Sequence, residues 1–257
     1  MTSRKKKPLS VVIITRNEEK NIARCLKSVL WADEILVVDS GSTDKTVEIC
    51  REMGCTVIAT PWLGFGRTKQ LAVNSACNNW VLSIDADEEA DPRLKDSIHN
   101  LLQGPPAKKG YRIKRTTFYV NRWIHHSGWN KDYPLRLFDR RYGNFNDKEV
   151  HESVVLKETP GTIDVPLLHY SYPDLATFLV KMEKYGQLGA QQKLDAGSKA
   201  SIFSAIGHGM LTFVKMYILK AGYLDGTTGL ALAINSAFAV YMKYLMLWEK
   251  KLPKSGE

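Results

Sequence analysis

Three apolar runs, each closing on a polar residue, limit what this chain can become more than any other feature. They are Leu9-Ser10-Val11-Val12-Ile13-Ile14, which runs into Thr15, then Glu34-Ile35-Leu36-Val37-Val38-Asp39 and Trp80-Val81-Leu82-Ser83-Ile84-Asp85. Near-continuous Val, Ile and Leu mark strands covered on both faces. Between them the spacing turns helical: Ile22, Leu26, Val29 and Leu30 follow the first run, with Asn17 placed to cap that helix. A helix over 45–53, a short strand over 56–59 and a helix over 67–77 fill the second interval. Such alternation builds βαβ units around a parallel sheet. Parallel sheets bind ligands at the carboxyl ends of their strands. Thr15, Asp39 and Asp85 all fall there, so three strands deliver three polar residues to one crevice.

The third run enters Asp85-Ala86-Asp87-Glu88-Glu89, four carboxylates around one small residue. Unbalanced, these charges repel. Mg²⁺ or Mn²⁺ holding a diphosphate would relieve them, because such ions take one or two carboxylates plus phosphate oxygens. The competing reading is a solvated turn opening a helix at Asp91-Pro92, with Glu88 and Glu89 near the positive end of its dipole. That reading must account for each strand end separately, whereas a nucleotide site accounts for all three.

Beyond the breaker Gly104-Pro105-Pro106-Ala107, the stretch 110–169 holds short, aromatic-rich strands (111–115, 135–138, 154–156), read as a mixed extension of the sheet on the acceptor side. Trp123, His125, His126 and Trp129 form an aromatic loop whose flat faces and polar tips suit ligand stacking or plain packing. The last third is helical: one helix over 175–193, then stripes at Ile202, Ile206, Met210, Phe213, Tyr217 and Ile218, and at Leu230, Ile234, Phe238, Tyr241, Leu245 and Trp248. The stretch 229–248 is long enough to span a bilayer, but Asn235, Ser236 and Lys243 interrupt it. An amphipathic helix at an anionic membrane surface suits the pattern better, with packing on the sheet or at a dimer interface as the alternative. The expected organisation is a catalytic domain over 1–172, with a nucleotide-binding half (9–103) and an acceptor-side half (110–172), and a helical, membrane-associating region over 173–257.

Thirty-six basic against 27 acidic residues give a net charge of +9, which favours an anionic partner without choosing one. No nucleic-acid motif accompanies the charge, so no nucleic-acid partner is expected. Cys25, Cys50, Cys55 and Cys77 have no zinc-type spacing and read as free, buried thiols of a reducing compartment. The basic start, Arg4-Lys5-Lys6-Lys7-Pro8, lacks the apolar run of a signal peptide. The expected location is cytoplasmic, peripheral on the inner face of the cytoplasmic membrane.

Val12-Ile13-Ile14-Thr15-Arg16-Asn17-Glu18-Glu19, Val37-Val38-Asp39-Ser40-Gly41-Ser42-Thr43-Asp44-Lys45-Thr46 and Leu82-Ser83-Ile84-Asp85-Ala86-Asp87-Glu88 together resemble the family 2 glycosyltransferases. Within that family the chain is most similar to the bacterial lipopolysaccharide core β-1,4-glucosyltransferases (WaaE-like). The likeness continues through Arg136-Leu137-Phe138, Val150-His151-Glu152, His169-Tyr170 and 217–226. It implies an α/β GT-A nucleotide-sugar-binding fold, a mostly parallel mixed sheet flanked by helices, here with a C-terminal amphipathic helical extension. It also implies inverting, metal-dependent transfer of a hexose, glucose from UDP-glucose, to the lipopolysaccharide inner core or a similar lipid-linked oligosaccharide.

Under that resemblance Asp39 accepts from the uracil N–H, Thr15 and Glu18 line the nucleoside pocket, and Asp85 holds the ribose or a metal-bound water. Asp87, from the DxD motif Asp85-Ala86-Asp87, ligates Mg²⁺ or Mn²⁺, and His169 joins it as a metal or diphosphate ligand; packing beside Tyr170 and Tyr172 is the other account of His169. Lys69-Gln70 stands where the family often has Arg-Asn, so Lys69 meets the base or phosphates, or is a solvated helix lysine. The transfer needs a carboxylate base. Glu152 is the candidate, with Asp147 and Glu149 beside it; were 150–153 a strand, Glu152 and His151 would face opposite ways. Two other functions fit the residues: a nucleotidyltransferase using the same strand-end carboxylates, and a non-catalytic membrane-bound nucleotide-sugar binding protein. The first would carry a Gly-rich basic loop after the first strand, where Thr15-Arg16-Asn17-Glu18-Glu19 has no glycine and two acids.

Overall fold

The computed structural model describes residues 6–147 and 152–252. The first half of the chain runs β1 (Leu9–Thr15), α1 (Ile22–Val29), β2 (Glu34–Asp39), α2 (Thr46–Glu52), β3 (Thr56–Ala59), α3 (Phe65–Ser75), β4 (Trp80–Asp85), β5 (Glu88–Ala90) and α4 (Pro92–Leu102). Six strands follow: β6 (Gly110–Tyr119), β7 (Arg122–Trp123), β8 (Leu135–Asp139), β9 (Gly143–Phe145), β10 (Val154–Leu156) and β11 (Gly161–Tyr172). Three long helices complete it: α5 (Leu175–Asp195), α6 (Ile202–Phe213), continued by a π-helical turn (Val214–Leu219), and α7 (Gly226–Glu249).

The chain divides into two compact units, residues 1–115 with 131–169 and residues 116–130 with 170–257. In the first unit β3, β2, β1 and β4 are parallel, in that spatial order. Val11, Ile13 and Leu82 enter one core with Ile22, Leu26, Leu94 and Ile98 from the helices. Val12, Leu36, Val38 and Val81 enter another with Ala72, Val73 and Phe138. Both sheet faces are thus covered, as the unbroken apolar runs require, and each fully buried Val, Leu or Ile contributes about 1.5–3 kcal/mol. α1 faces the first core through Ile22, Cys25, Leu26 and Val29, spaced i, i+3, i+4, i+7.

From β4 the sheet continues through β8, β6 and β11 to β5, with antiparallel pairing at β4–β8, β6–β8 and β11–β5. Only Ala86 and Asp87 join β4 to β5, yet the hydrogen-bonded route between those strands crosses three others. The sheet curls back on itself to satisfy both connections.

In the second unit Tyr119, Ile124, Phe178, Met216, Leu232 and Ala233 form a core of their own. α6 and α7 pack closely enough that a Cβ on Gly209 would sit 3.2 Å from the Ala237 carbonyl oxygen. The turn before α7 is tighter: Ala221 has φ +53°, and a Cβ on Gly229 would lie 2.0 Å from the Gly222 carbonyl oxygen.

Several expectations change. Asn17 does not cap α1, which begins after Asn21. Asn17 has φ +56°, and its amide oxygen accepts from Thr43 N at 2.8 Å, binding the β1 turn to the β2 turn. The helix expected over 67–77 is 65–75. Residues 116–130, read with the acceptor-side strands, belong to the helical unit. β5, β7 and β9 were not visible in the sequence because two or three residues show no period, and none of them is the all-aliphatic run that marks Val154-Val155-Leu156. All four cysteines are free, but only Cys25 and Cys50 are buried; Cys55 is half-buried and Cys77 exposed.

Candidate functional site

Parallel register sets the strand ends level. Thr15 pairs with Asp39 across β1–β2, and Ile14 pairs with Asp85 across β1–β4. The three polar termini therefore stand side by side on adjacent strands. Thr15 is buried, and its hydroxyl has no hydrogen-bond partner among the described residues. Glu18 accepts from the Asn21 amide at 2.8 Å while its backbone N–H donates to the Thr46 hydroxyl at 2.8 Å. Asp39 Oδ2 accepts from Gly41 N and Ser42 N, each at 3.0 Å. Its Oδ1 accepts from the Ser42 hydroxyl. The Asp39 carboxylate thus shapes its own turn, an Asx-type role that the sequence reading had not assigned.

The structure resolves the carboxylate problem at the end of β4 with arginine and lysine. Arg136, the second residue of β8, is buried and donates through Nη2 to both Asp85 and Glu88, the latter at 2.8 Å. Arg115 Nη1 reaches Glu88 at 3.3 Å. Lys69 Nζ lies 2.8 Å from Asp85 and 2.7 Å from Glu152. Arg24 pairs with Glu89 at 3.8 Å. The reading of Glu88 and Glu89 as solvated residues at a helix start therefore fails. Glu88 begins β5 with a fully buried side chain, and its Oε2 accepts from Asp85 N at 2.9 Å, bracing the turn. Asp91 is the residue that caps α4, accepting from Arg93 N.

Burial alone would raise the Asp85 pKa, but Arg136 and then Lys69 outweigh it and hold the carboxyl well below the usual range. Burial likewise opposes the charge of Arg136, yet Asp85 and Glu88 drive its pKa upward. Burial, with Glu88, Asp87 and Asp85 adding to it, pushes the nearby Cys25 thiol well up. That cysteine is an inert core residue.

Asp87 meets a residue of another strand. Its Oδ2 lies 3.4 Å from His169 Nε2, because β11 pairs with β5 and sets His169 opposite Glu88. The two residues named as metal ligands are thus brought together, one oxygen and one nitrogen donor. Among the described residues no group of three or more His, Cys, Asp or Glu could hold a metal. An ion here would draw its remaining ligands from a diphosphate and water. That fits Mg²⁺ or Mn²⁺, which keep few protein ligands where phosphate completes the shell.

Lys69 is not a solvated helix lysine: it is 4% exposed, on the inner face of α3 between two acids. Glu152 is half-buried and precedes β10, so alternation along a strand does not govern its direction. Asp147 is exposed, and Glu149 and His151 lie outside the described residues. Arg136 and Arg115 were missed as site residues. The signal available was a buried Arg in an otherwise apolar strand, Leu135-Arg136-Leu137-Phe138, since a buried Arg needs an acid. In the second unit the aromatic loop is tied down internally. Asp225 accepts from His125 N at 3.2 Å and His126 N at 2.9 Å, and pairs with His126 Nδ1 at 3.0 Å, while Trp129 packs on the core of that unit.

The profile described as Glycosyl transferase family 2 matches residues 10–158. An uncharacterized glycosyltransferase of Rickettsia typhi is 31% identical over 258 residues, covering 96% of this chain and 88% of the relative. The lipopolysaccharide core biosynthesis glycosyltransferase LpsC of Rhizobium meliloti is 28% identical over 94% of each chain. Among solved structures, glucosyl-3-phosphoglycerate synthase from Mycobacterium tuberculosis, in complex with Mn²⁺, UDP and glucosyl-3-phosphoglycerate, aligns over 44% of each chain with 26% identity and a TM-score of 0.36.

Proposed function

Because the chain belongs to glycosyl transferase family 2 and is a glycosyltransferase, we propose that it transfers a hexose, glucose from UDP-glucose, with inversion. The acceptor in this reading is the lipopolysaccharide inner core or a similar lipid-linked glycan at the inner face of the cytoplasmic membrane. The name carried by the Rhizobium meliloti relative supports that acceptor class. The observation that carries the chemistry is Lys69 Nζ set between Asp85 and Glu152 at 2.8 and 2.7 Å, a cation poised at the strand ends beside a candidate base.

The acceptor hydroxyl oxygen bonds to the anomeric carbon as the bond from that carbon to the diphosphate oxygen breaks. UDP leaves with the electron pair, and the acceptor proton passes to Glu152. Thr15, Glu18 and Asp39 line the nucleoside side. Lys69 serves the phosphates, and Arg136 keeps Asp85 ionised and oriented. Asp87 and His169 would hold Mg²⁺ or Mn²⁺, which neutralises charge on the departing diphosphate when bound. A nucleotidyltransferase is disfavoured by family membership and by the glycine-free turn after β1.

Calorimetric titration with UDP-glucose, with Mn²⁺ and then with EDTA, tests the donor reading. Metal-dependent binding is expected, and its absence in both conditions would remove UDP-glucose as donor. Glu152→Gln separates enzyme from binder: turnover should fall about 10²–10⁴-fold with donor affinity kept, as for loss of a general base. Unchanged turnover would remove Glu152 from the role.

A further inference from the structure

The second unit carries an apolar face that its own core does not use. Phe203, Met210, Leu211, Leu219 and Leu224 are 86%, 65%, 67%, 75% and 60% exposed. They run along the outer side of α6, through the π-helical turn and into the turn before α7, while Ala205 and Gly209 face inward. Contiguous exposed apolar surface of this kind marks an interaction site. Residues 202–219 and 222–249 are each long and apolar enough to cross a bilayer, so length alone allows insertion.

Tethering at both ends argues against crossing. At the turn between α6 and α7, Ser127 N donates to the Lys220 carbonyl at 3.0 Å, and Asp225 is held by His125 and His126. At the other end Lys250 Nζ donates to Gln191 of α5 at 3.1 Å. α5 runs along α7, with Gly186 against Met246 and Gly189 against Lys243. A hairpin fixed at its turn and at its open end to polar parts of its own unit cannot thread through hydrocarbon, where irregular backbone is tolerated only within protein or a water-filled cavity. It can lie flat.

The charges select the occupant. Between residues 202 and 248 the cations are Lys215, Lys220 and Lys243, and the single acid is Asp225, which the two histidines already engage. Lys215 and Lys220 are exposed beside the apolar face. A second copy docking through this face by a two-fold axis would set lysine rims together with no acid to answer them. Anionic headgroups answer them directly.

We propose that the outer face of α6, the π-helical turn and residues 220–225 form an in-plane docking surface for an anionic phospholipid bilayer. This deepens the reading of a lipid-linked acceptor and rests on it for its purpose, though not for its test. The full chain is floated through a density gradient with vesicles of phosphatidylethanolamine and phosphatidylglycerol, or of phosphatidylcholine alone. Wild type should rise with the anionic vesicles and bind neutral ones about 30-fold less well, as two rim lysines imply. Phe203→Glu with Leu211→Glu should stay in the dense fractions, with an unchanged circular dichroism melting temperature as the check on folding; Lys215→Glu alone, which changes the charge by two, should cut anionic binding about 30-fold. Wild type remaining dense with anionic vesicles would overturn the proposal. So would equal flotation of the variants, or a lipid-free dimer that the double substitution splits into monomers. Flotation without donor binding would leave this surface standing and fell the transferase reading; donor binding without flotation would do the reverse.

Discussion

Replacing Arg136 with Met tests the account of the acidic turn most directly. The change keeps the apolar stem and removes a charge that two carboxylates share in a buried setting. Lys69 would still hold Asp85 at 2.8 Å, and Arg115 would still hold Glu88 at 3.3 Å. Neither acid is wholly orphaned, so the loss belongs at the low end of the ~3–5 kcal/mol for breaking a buried ion pair, about 3 kcal/mol. With a urea slope of about 3 kcal/mol/M, the unfolding midpoint, followed by tryptophan fluorescence, should fall by about 1 M at pH 7. Acid should close the gap. Asp85 titrates lower when folded than when unfolded, so its stabilisation is present above the unfolded value of about 3.9 and drains as pH falls toward the folded one. Wild type has this contribution to lose and the variant has less, so the two curves converge below about pH 4. Arg136→Lys should recover only part of the loss, since an ammonium cannot reproduce the guanidinium fork. A midpoint shift under about 0.3 M, or a gap that persists in acid, would refute the lattice as the reason these carboxylates coexist.

Two further outcomes follow from named contacts. Asp87→Asn should weaken Mn²⁺-dependent donor binding by about tenfold or more; equal donor titrations with and without the substitution would remove it from the metal site. Gly229→Ala puts a methyl 2.0 Å from the Gly222 carbonyl oxygen and should cost about 1–3 kcal/mol in the helical unit, read as a lowered melting temperature by circular dichroism.

The parallel core was legible because its strands are covered on both faces, which leaves long apolar runs that no other element produces. The strand-end residues were legible for the same reason: once β1, β2 and β4 are placed, Thr15, Asp39 and Asp85 can fall only at their carboxyl ends. What neutralises the acids was not legible. Arg136 sits 51 residues from Asp85 in sequence, and nothing local says that β8 lies beside β4. Asn17 was misread because a polar residue before a helix resembles a cap, whereas here a left-handed backbone turns its side chain toward the next loop. β5 escaped notice because three residues carry no period, although they put His169 within reach of Asp87. The outer face of α6 was not what the periodicity marked: of the stripe Ile202, Ile206, Met210, Phe213, Tyr217 and Ile218, Phe213 and Tyr217 pack against the core of the helical unit, and only Met210 is shared with the exposed set of Phe203, Leu211, Leu219 and Leu224.

The two-residue link between β4 and β5 has a consequence for which sequences this fold can accept. Most loops lengthen cheaply, each doubling costing roughly 0.6 kcal/mol in closure entropy. Ala86 and Asp87 do not form such a loop, because they complete a ring whose other arc is a series of hydrogen-bonded strands. An inserted residue would have to be absorbed by a slip of β5 against β11, and a one-residue slip turns every side chain of a strand to its opposite face. Glu88 would leave Arg136, and His169 would face a different neighbour. Substitution at these two positions is therefore a question of chemistry, while any change in their number is a question of whether the sheet closes at all.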